Sequence, residues 1–356
     1  MKALWALPLV ILLAGCSVRN VVGDAGVVQA APRFPELELK EKLQRGAASK
    51  AAPVHARRTI SNGRGAEFVV PAGLSYSDSG DLYVSDNNAH TLHLWPRDAA
   101  EAGELPAGAA GARLKFPSPV HTHGDKLFVA DNDGIKVLSP EGRFERLLRP
   151  YLYVHDFAVS GEGTIFASVL VRNRGEHDPL IVELDQKGRV LRRLGGRREP
   201  ASRDDHENQA FVAVSGTRLV VAYKYRPVVE VYDTDSGELV RSFEVKHPVF
   251  EALKSTPTTS AGAATPAEQA FEPRYIAGVK AVNGRIFVCL HLPTPEVWEF
   301  SEGGSLSAAF RADGLPTAIH VFGFDAWSSG RETKFAIGVV EPTWAASVSE
   351  LSVTSD

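Results

Sequence analysis

Asp86, Asn87 and Asn88 stand in a row, with His90 and His93 close behind. Oxygen donors in such a run could hold a hard cation such as calcium; an Asp at the end of a strand could equally accept backbone N–H groups and form a turn. Asp131 recurs in the same setting, in Asp131-Asn132-Asp133-Gly134, which lacks the further ligands and the glutamate of a calcium loop. His121 and His123 alternate, so on a strand both imidazoles would share one face and could ligate one metal, yet no third ligand stands near them in sequence. His123, moreover, falls at a hairpin turn. The run Asp204-Asp205-His206-Glu207-Asn208 reads as a charged, solvated linker. His-Glu-x-x-His, Gly-x-Ser-x-Gly and phosphate-loop motifs are absent from the sequence. What remains is a set of ionisable side chains that no strand pattern explains: His155, Asp156, Lys224, Arg226 and His291. Basic groups beside a carboxylate could hold an anionic ligand through charge-assisted hydrogen bonds, or could neutralise one another as a buried salt-bridge network.

The elements that must position these residues are short strands. Six times the chain shows an alternating apolar strand, a Gly-containing turn and a second apolar strand: "AGLSYSDSGDLYVSD", "VHTHGDKLFVAD", "HDFAVSGEGTIFASV", "AFVAVSGTRLVVAY", "AGVKAVNGRIFVCL" and "FGFDAWSSGRETKFAIG". The turn glycines are Gly80, Gly124, Gly163, Gly216, Gly284 and Gly330, placed where hairpins need positive φ. A third strand follows each pair, as in "TLHLW", "IKVLS", "LIVELD", "VVEVYD" and "EVWEFS". Four antiparallel strands recurring at roughly 40 to 50 residues have the period of a propeller blade. The expected fold is all-β, a six-bladed β-propeller of four-stranded antiparallel blades over residues 55–356. The segment "ARRTISNGRGAEFVV" would supply the outer strand of the last blade and close the ring, which removes open sheet edges.

Upstream, "MKALWALPLVILLAGC" has one cation, Lys2, and an apolar run too short to span a bilayer, which is the pattern of an export signal. Its end, Leu13-Ala14-Gly15-Cys16, resembles the bacterial lipobox, so residues 1–15 are expected to be a lipoprotein signal and Cys16 the lipidated residue. Ser17 after the cysteine leans toward the outer membrane. Residues 16–54, rich in Ala, Gly and charge with one short helix around Pro35 to Gln44, are expected to tether domain to lipid. Composition, with 44% hydrophobic residues, 23% charged and a net charge of -4, is that of a globular protein with no general affinity for nucleic acid. Cys289, in "RIFVCLHL", has no disulfide partner if Cys16 carries lipid, and reads as a small buried hydrophobe. Residues 254–269 read as a long exposed loop.

"PAGLSYSDSGDLYVSDNNAHTLHLW" resembles an NHL-type repeat, and the whole body resembles the six-bladed propeller superfamily. The resemblance implies that residues at the start of each inner strand and just after the second strand converge on one end of a central channel. That set includes Asp86, Asn87, Asp131, Asn132, His155, Asp156, Arg172, Lys224, Arg226, Arg274, Tyr275, His291, His320 and Glu341. Lactonase-like relatives hold a divalent cation in the channel with a glutamate and with Asn and Asp residues. Only Asp156 and Asn208 map onto that pattern, and the glutamate is missing. The leading expectation is therefore a lipid-anchored, non-catalytic module without a cofactor that binds an envelope protein or a small ligand. The alternative is a metal-dependent lactonase-, hydrolase- or lyase-like enzyme with one divalent cation, such as calcium or zinc, in the channel.

Overall fold

A computed structural model describes residues 35–46, 51–61, 68–106, 113–150, 153–170, 179–196, 208–255, 273–318, 320–343 and 345–354. The signal, Cys16, Arg172, residues 204–207 and residues 256–269 lie outside these.

The strands come in sequential fours. Blade 1 is β2 (Pro71–Tyr76), β3 (Leu82–Asp86), β4 (Thr91–Trp95) and β5 (Gly103–Glu104); blade 2 is β6 (Val120–His123), β7 (Lys126–Asp131), β8 (Gly134–Leu138) and β9 (Phe144–Leu148). Blade 3 is β10 (Tyr153–Val159), β11 (Ile165–Leu170), β12 (Pro179–Leu184) and β13 (Val190–Gly196); blade 4 is β14 (Ala210–Ser215), β15 (Arg218–Tyr223), β16 (Val228–Asp233) and β17 (Leu239–Glu244). Blade 5 is β18 (Ile276–Val282), β19 (Arg285–Leu290), β20 (Glu296–Ser301) and β21 (Leu306–Asp313). Blade 6 contributes β22 (His320–Ser329), β23 (Glu332–Val340) and β24 (Ala346–Thr354), and takes its outer strand from β1 (Ala52–Ser61) near the other end of the chain. The six hairpin glycines expected from sequence all adopt positive φ, from +55° at Gly124 to +87° at Gly80. Only a residue without Cβ takes that conformation at low cost, so these glycines set where each hairpin turns.

Closure is built from both ends of the folded body. Residues Ala56–Ser61 of β1 pair antiparallel with β24, while Ala52–His55 run parallel to Phe310–Asp313 of β21, which joins blades 5 and 6 into one eight-stranded sheet. Arg58 clamps this seam. Its guanidinium donates to both carboxylate oxygens of the buried Glu350 at 3.1 and 3.0 Å, and Tyr76 Oη donates to the same carboxylate at 2.8 Å. The outer strand of blade 6 is thus the start of the segment from Ala56 expected from sequence, and β1 extends it back to Ala52.

Apolar side chains from facing sheets form six buried clusters, one at each blade-to-blade interface. Cys289 sits fully buried in the cluster between blades 5 and 6, where burial pushes its thiol pKa up and leaves it unreactive. Two helices accompany the ring: α1 (Pro35–Gly46) and α2 (Pro248–Ser255). Leu39 and Leu43 of α1 pack on the cluster between blades 4 and 5, and Leu37 on that between blades 6 and 1. Among the described residues, α1 and β1 therefore lie against the strands of the ring. Lys254, placed by sequence in an exposed loop, ends α2 and bonds Glu251 at 3.0 Å. None of the described helices is long and apolar enough to cross a membrane.

Candidate functional site

The inner strands ring a cavity of about 140 Å³. Four of them, β2, β10, β18 and β22, carry a β-bulge at the same place, between Pro71 and Gly73, Val154 and Asp156, Ile276 and Gly278, and Val321 and Gly323. A bulge re-aims the side chain it carries. In blades 1, 5 and 6 the bulge residue is Ala72, Ala277 or Phe322; in blade 3 it is His155. The next position is glycine in those three blades for want of room. A Cβ on Gly73 would fall 1.8 Å from Ser118 O, and one on Gly278 would fall 2.7 Å from Phe324 Cβ. Blade 3 puts Asp156 there instead, and its Oδ2 accepts the Val212 N–H at 2.8 Å. Of the four bulged inner strands, the one without glycine after the bulge thus delivers the ionisable pair.

Toward the end where the inner strands begin, basic groups collect. Lys224 follows β15, Arg274 precedes β18, and His291 follows β19; all three line the cavity with His155. Lys224 donates to Gln209 Oε1 at 3.3 Å, and Arg274 Nη1 lies 3.0 Å from His320 Nδ1. Among the described residues neither cation has a carboxylate partner. Burial, and then the Arg274 charge, lower the Lys224 pKa to about 7. Burial and then Lys224 hold His155 neutral, and burial followed by Arg274, Lys224 and Lys40 holds His320 neutral, each with a pKa of about 3. His291, only 4% exposed, is also driven well below its ordinary value, by burial and then by Lys40, Arg274 and Lys224. The Nε2 atoms of His155 and His291 are buried and, among the described residues, have no hydrogen-bond partner.

Further along the strands the charges balance. Lys280 and Asp325 stand two residues beyond the glycines of adjacent blades and meet at 2.7 Å, and Asp325 also accepts the Tyr76 N–H at 2.7 Å. Asp156 borders this lower ring. Burial pushes its carboxyl up to about 7 against the Val212 and Phe157 N–H groups and Lys280. Lys224, His155 and Asp156 keep some accessible surface because they face the cavity.

Of the residues selected from sequence, His155, Asp156, Lys224, Arg274 and His291 meet in this cavity. Asp86 does not: it is fully buried, and its carboxylate accepts the N–H groups of Val69, Val70 and Ala89, which makes it a turn-former. Asp131 does the same for Lys115 and Asp133 and pairs with the buried Lys136. Tyr275 is a core aromatic, edge-on to Phe250 at 5.1 Å, and Arg226 is not part of the lining. His121 lines the cavity, held neutral near pKa 3 by burial and Lys280, whereas His123 does not. Among the described residues no three His, Cys, Asp or Glu side chains are grouped to hold a metal.

The NHL repeat family matches residues 68–93, which is blade 1 as far as β4. The chain is a β-propeller with an NHL repeat in its first blade. No curated protein matches it in sequence. Among solved structures, this propeller superposes on a luciferin-regenerating enzyme with a TM-score of 0.56 at 12% identity, covering 82% of this chain and 94% of that one. Virginiamycin B lyase from Staphylococcus aureus gives 0.49 at 13% identity over 83% and 99%. A gluconolactonase from Xanthomonas campestris gives 0.49 at 13% identity over 86% and 99%. At these identities the likeness is one of fold.

Three site residues of this propeller escaped the sequence reading: Lys280, Asp325 and Lys40. The first two carried a usable signal, since both follow a strand-start glycine, Gly278 or Gly323, by two residues. Lys40 had none. It comes from α1, yet is 2% exposed, and its Nζ donates to Arg274 O at 2.9 Å, His291 O at 3.1 Å and His291 Nδ1 at 3.2 Å.

Proposed function

We propose that the chain is a binding protein of the cell envelope whose channel captures a small anion. The observation that supports this most is the pair Lys224 and Arg274, two cations that repel each other across the cavity and that, among the described residues, meet a glutamine and a histidine and no carboxylate. Burying like charges together is costly, and a bound anion removes that cost while accepting their hydrogen bonds. Isothermal titration with chloride, acetate, succinate and phosphate tests it. At least one of these binds the wild-type chain, and Lys224→Met and Arg274→Met abolish that binding; silence from all four rejects the reading.

The envelope location rests on the lipobox-like Leu13-Ala14-Gly15-Cys16. Only the Cys16 thiol could take the lipid, so Cys16→Ala should move the protein from the membrane pellet to the soluble fraction with its melting temperature unchanged. Retention in the pellet after a salt wash would sink the lipoprotein assignment.

One feature favours a second reading, a hydrolase- or lyase-like enzyme. Asp156 and Lys224, both poised near pH 7 in one cavity, have the pKa values expected of a general acid and base. Turnover of a lactone and ester panel that disappears in Asp156→Asn would support it.

A further inference from the structure

Every polar atom that the upper ring presents to the cavity, and whose state the geometry fixes, is a donor. An ammonium and a guanidinium have no acceptor. The state of His291 follows from its neighbour: Lys40 approaches Nδ1 at 3.2 Å with a group that can only donate, so Nδ1 accepts and the ring hydrogen sits on Nε2. That Nε2 is buried, belongs to a residue that lines the cavity and, among the described residues, meets no partner. Lys40 itself is occupied by three protein acceptors, so it acts on the cavity through His291. A buried N–H without an acceptor loses its hydration with nothing in exchange, and a bound acceptor at that atom restores the bond.

Resting on the anion-binding reading, we propose that the upper ring takes a doubly charged oxyanion, a phosphoryl group or a dicarboxylate, held by Lys224, Arg274 and the Nε2–H of His291, with Lys40 of α1 as the positioning residue that keeps His291 in that tautomer. Two unneutralised cations match two negative charges; a monoanion leaves one cation buried alone. The oxyanion accepts from all three donors, so it fits a set of fixed groups that only donate. Because Lys40 reaches the ring from α1, the segment that leads toward the amino terminus takes part in forming the site.

The test is titration of the full chain with sodium phosphate, succinate, acetate and chloride at constant ionic strength. Phosphate or succinate binds about tenfold or more tightly than acetate, a difference of about 1.4 kcal/mol. Acetate binding as tightly as both dianions overturns the double charge while leaving the anion site standing; no binding by any of the four overturns the reading beneath it. For Lys40, the readout is the nitrogen-15 histidine spectrum. Wild-type His291 shows hydrogen on Nε2, Lys40→Met shows a mixture of tautomers with about tenfold weaker dianion binding, and Lys40→Arg restores both. A wild-type spectrum with hydrogen on Nδ1 refutes the positioning role, and that result stands even if Lys40→Met loosens α1. Unchanged tautomer and affinity in a folded Lys40→Met protein refute it as well.

Discussion

Lys280 and Lys224 line the same channel, yet the first meets Asp325 at 2.7 Å whereas the second meets Gln209 at 3.3 Å and faces the charge of Arg274. The lower ring is complete: Asp325 is 3% exposed and satisfies both an ammonium and a backbone N–H. The upper ring has donors and no acids. Two buried cations in one cavity, treated oppositely by their neighbours, indicate different roles. A network that plugs the channel pairs its charges, and a site that awaits a ligand leaves them unpaired at some cost to the empty fold.

The comparison is broken most directly at its stable half. Asp325→Ala strands the Lys280 ammonium inside the ring and leaves the Tyr76 N–H without its acceptor, so it should cost about 3–5 kcal/mol in denaturant unfolding. A loss below about 1 kcal/mol, the usual worth of an exposed pair, would mean that water reaches the lower ring and that the two rings do not differ in kind.

The upper half should answer with the opposite sign. Lys224→Met keeps the length of the side chain and removes a charge that burial and Arg274 both oppose, so stability should hold or rise by about 0.5–2 kcal/mol. Thermal and denaturant unfolding check this directly. A loss comparable to that of Asp325→Ala would show Lys224 to be part of the plug.

How much of this contrast was legible in sequence depended on range. Blade order, hairpin glycines and the closing role of the segment near Ala56 follow from local pattern, because turn chemistry and strand alternation act over a few residues. The same locality offered a turn-forming reading of Asp86 and Asp131, since the aspartate recurs at equivalent strand ends, but it also left both among the convergent residues until their bonds to backbone N–H groups excluded them. It placed His155, Asp156, Lys224, Arg274 and His291 at strand starts and ends that converge, but could not say which would lack partners. Pairing in the channel is decided across blades: Lys280 and Asp325 lie in different strands, and each alone reads as an ordinary polar position in an alternating run. Lys40 was beyond reach. Its acceptors lie 234 and 251 residues away, and a lysine in a charged helix gives no hint that it is buried.

The smallest effect, and the one that separates the rings by mechanism, is in the pH dependence. Lys224, facing Arg274, Gln209, Tyr225 and His155, has a folded pKa of about 7 against an ordinary 10.5. Between those values the unfolded chain holds more protons, so this group makes stability rise with pH, with its full penalty present below pH 7. Asp156, facing Lys280, Asp325 and the Val212 N–H, has a folded pKa of about 7 against an ordinary 3.8. Between those values the folded chain holds more protons, so this group makes stability fall as pH rises, with its full penalty present above pH 7. Together they place a minimum of stability near neutral pH in the empty protein. Subtracting wild-type from variant stabilities isolates each limb from every other titrating group. The gain from Lys224→Met should be largest at and below pH 7 and fade toward pH 10, and that from Asp156→Asn should be largest above pH 7 and fade toward pH 4. Saturating dianion should shrink the first difference, since a bound anion stabilises the ammonium and raises its pKa, while acting less on the second. A Lys224→Met gain that stays constant from pH 6 to 10 would mean that the ammonium charge is not what strains the upper ring, and with that the contrast between the two halves of the channel would lose its physical basis.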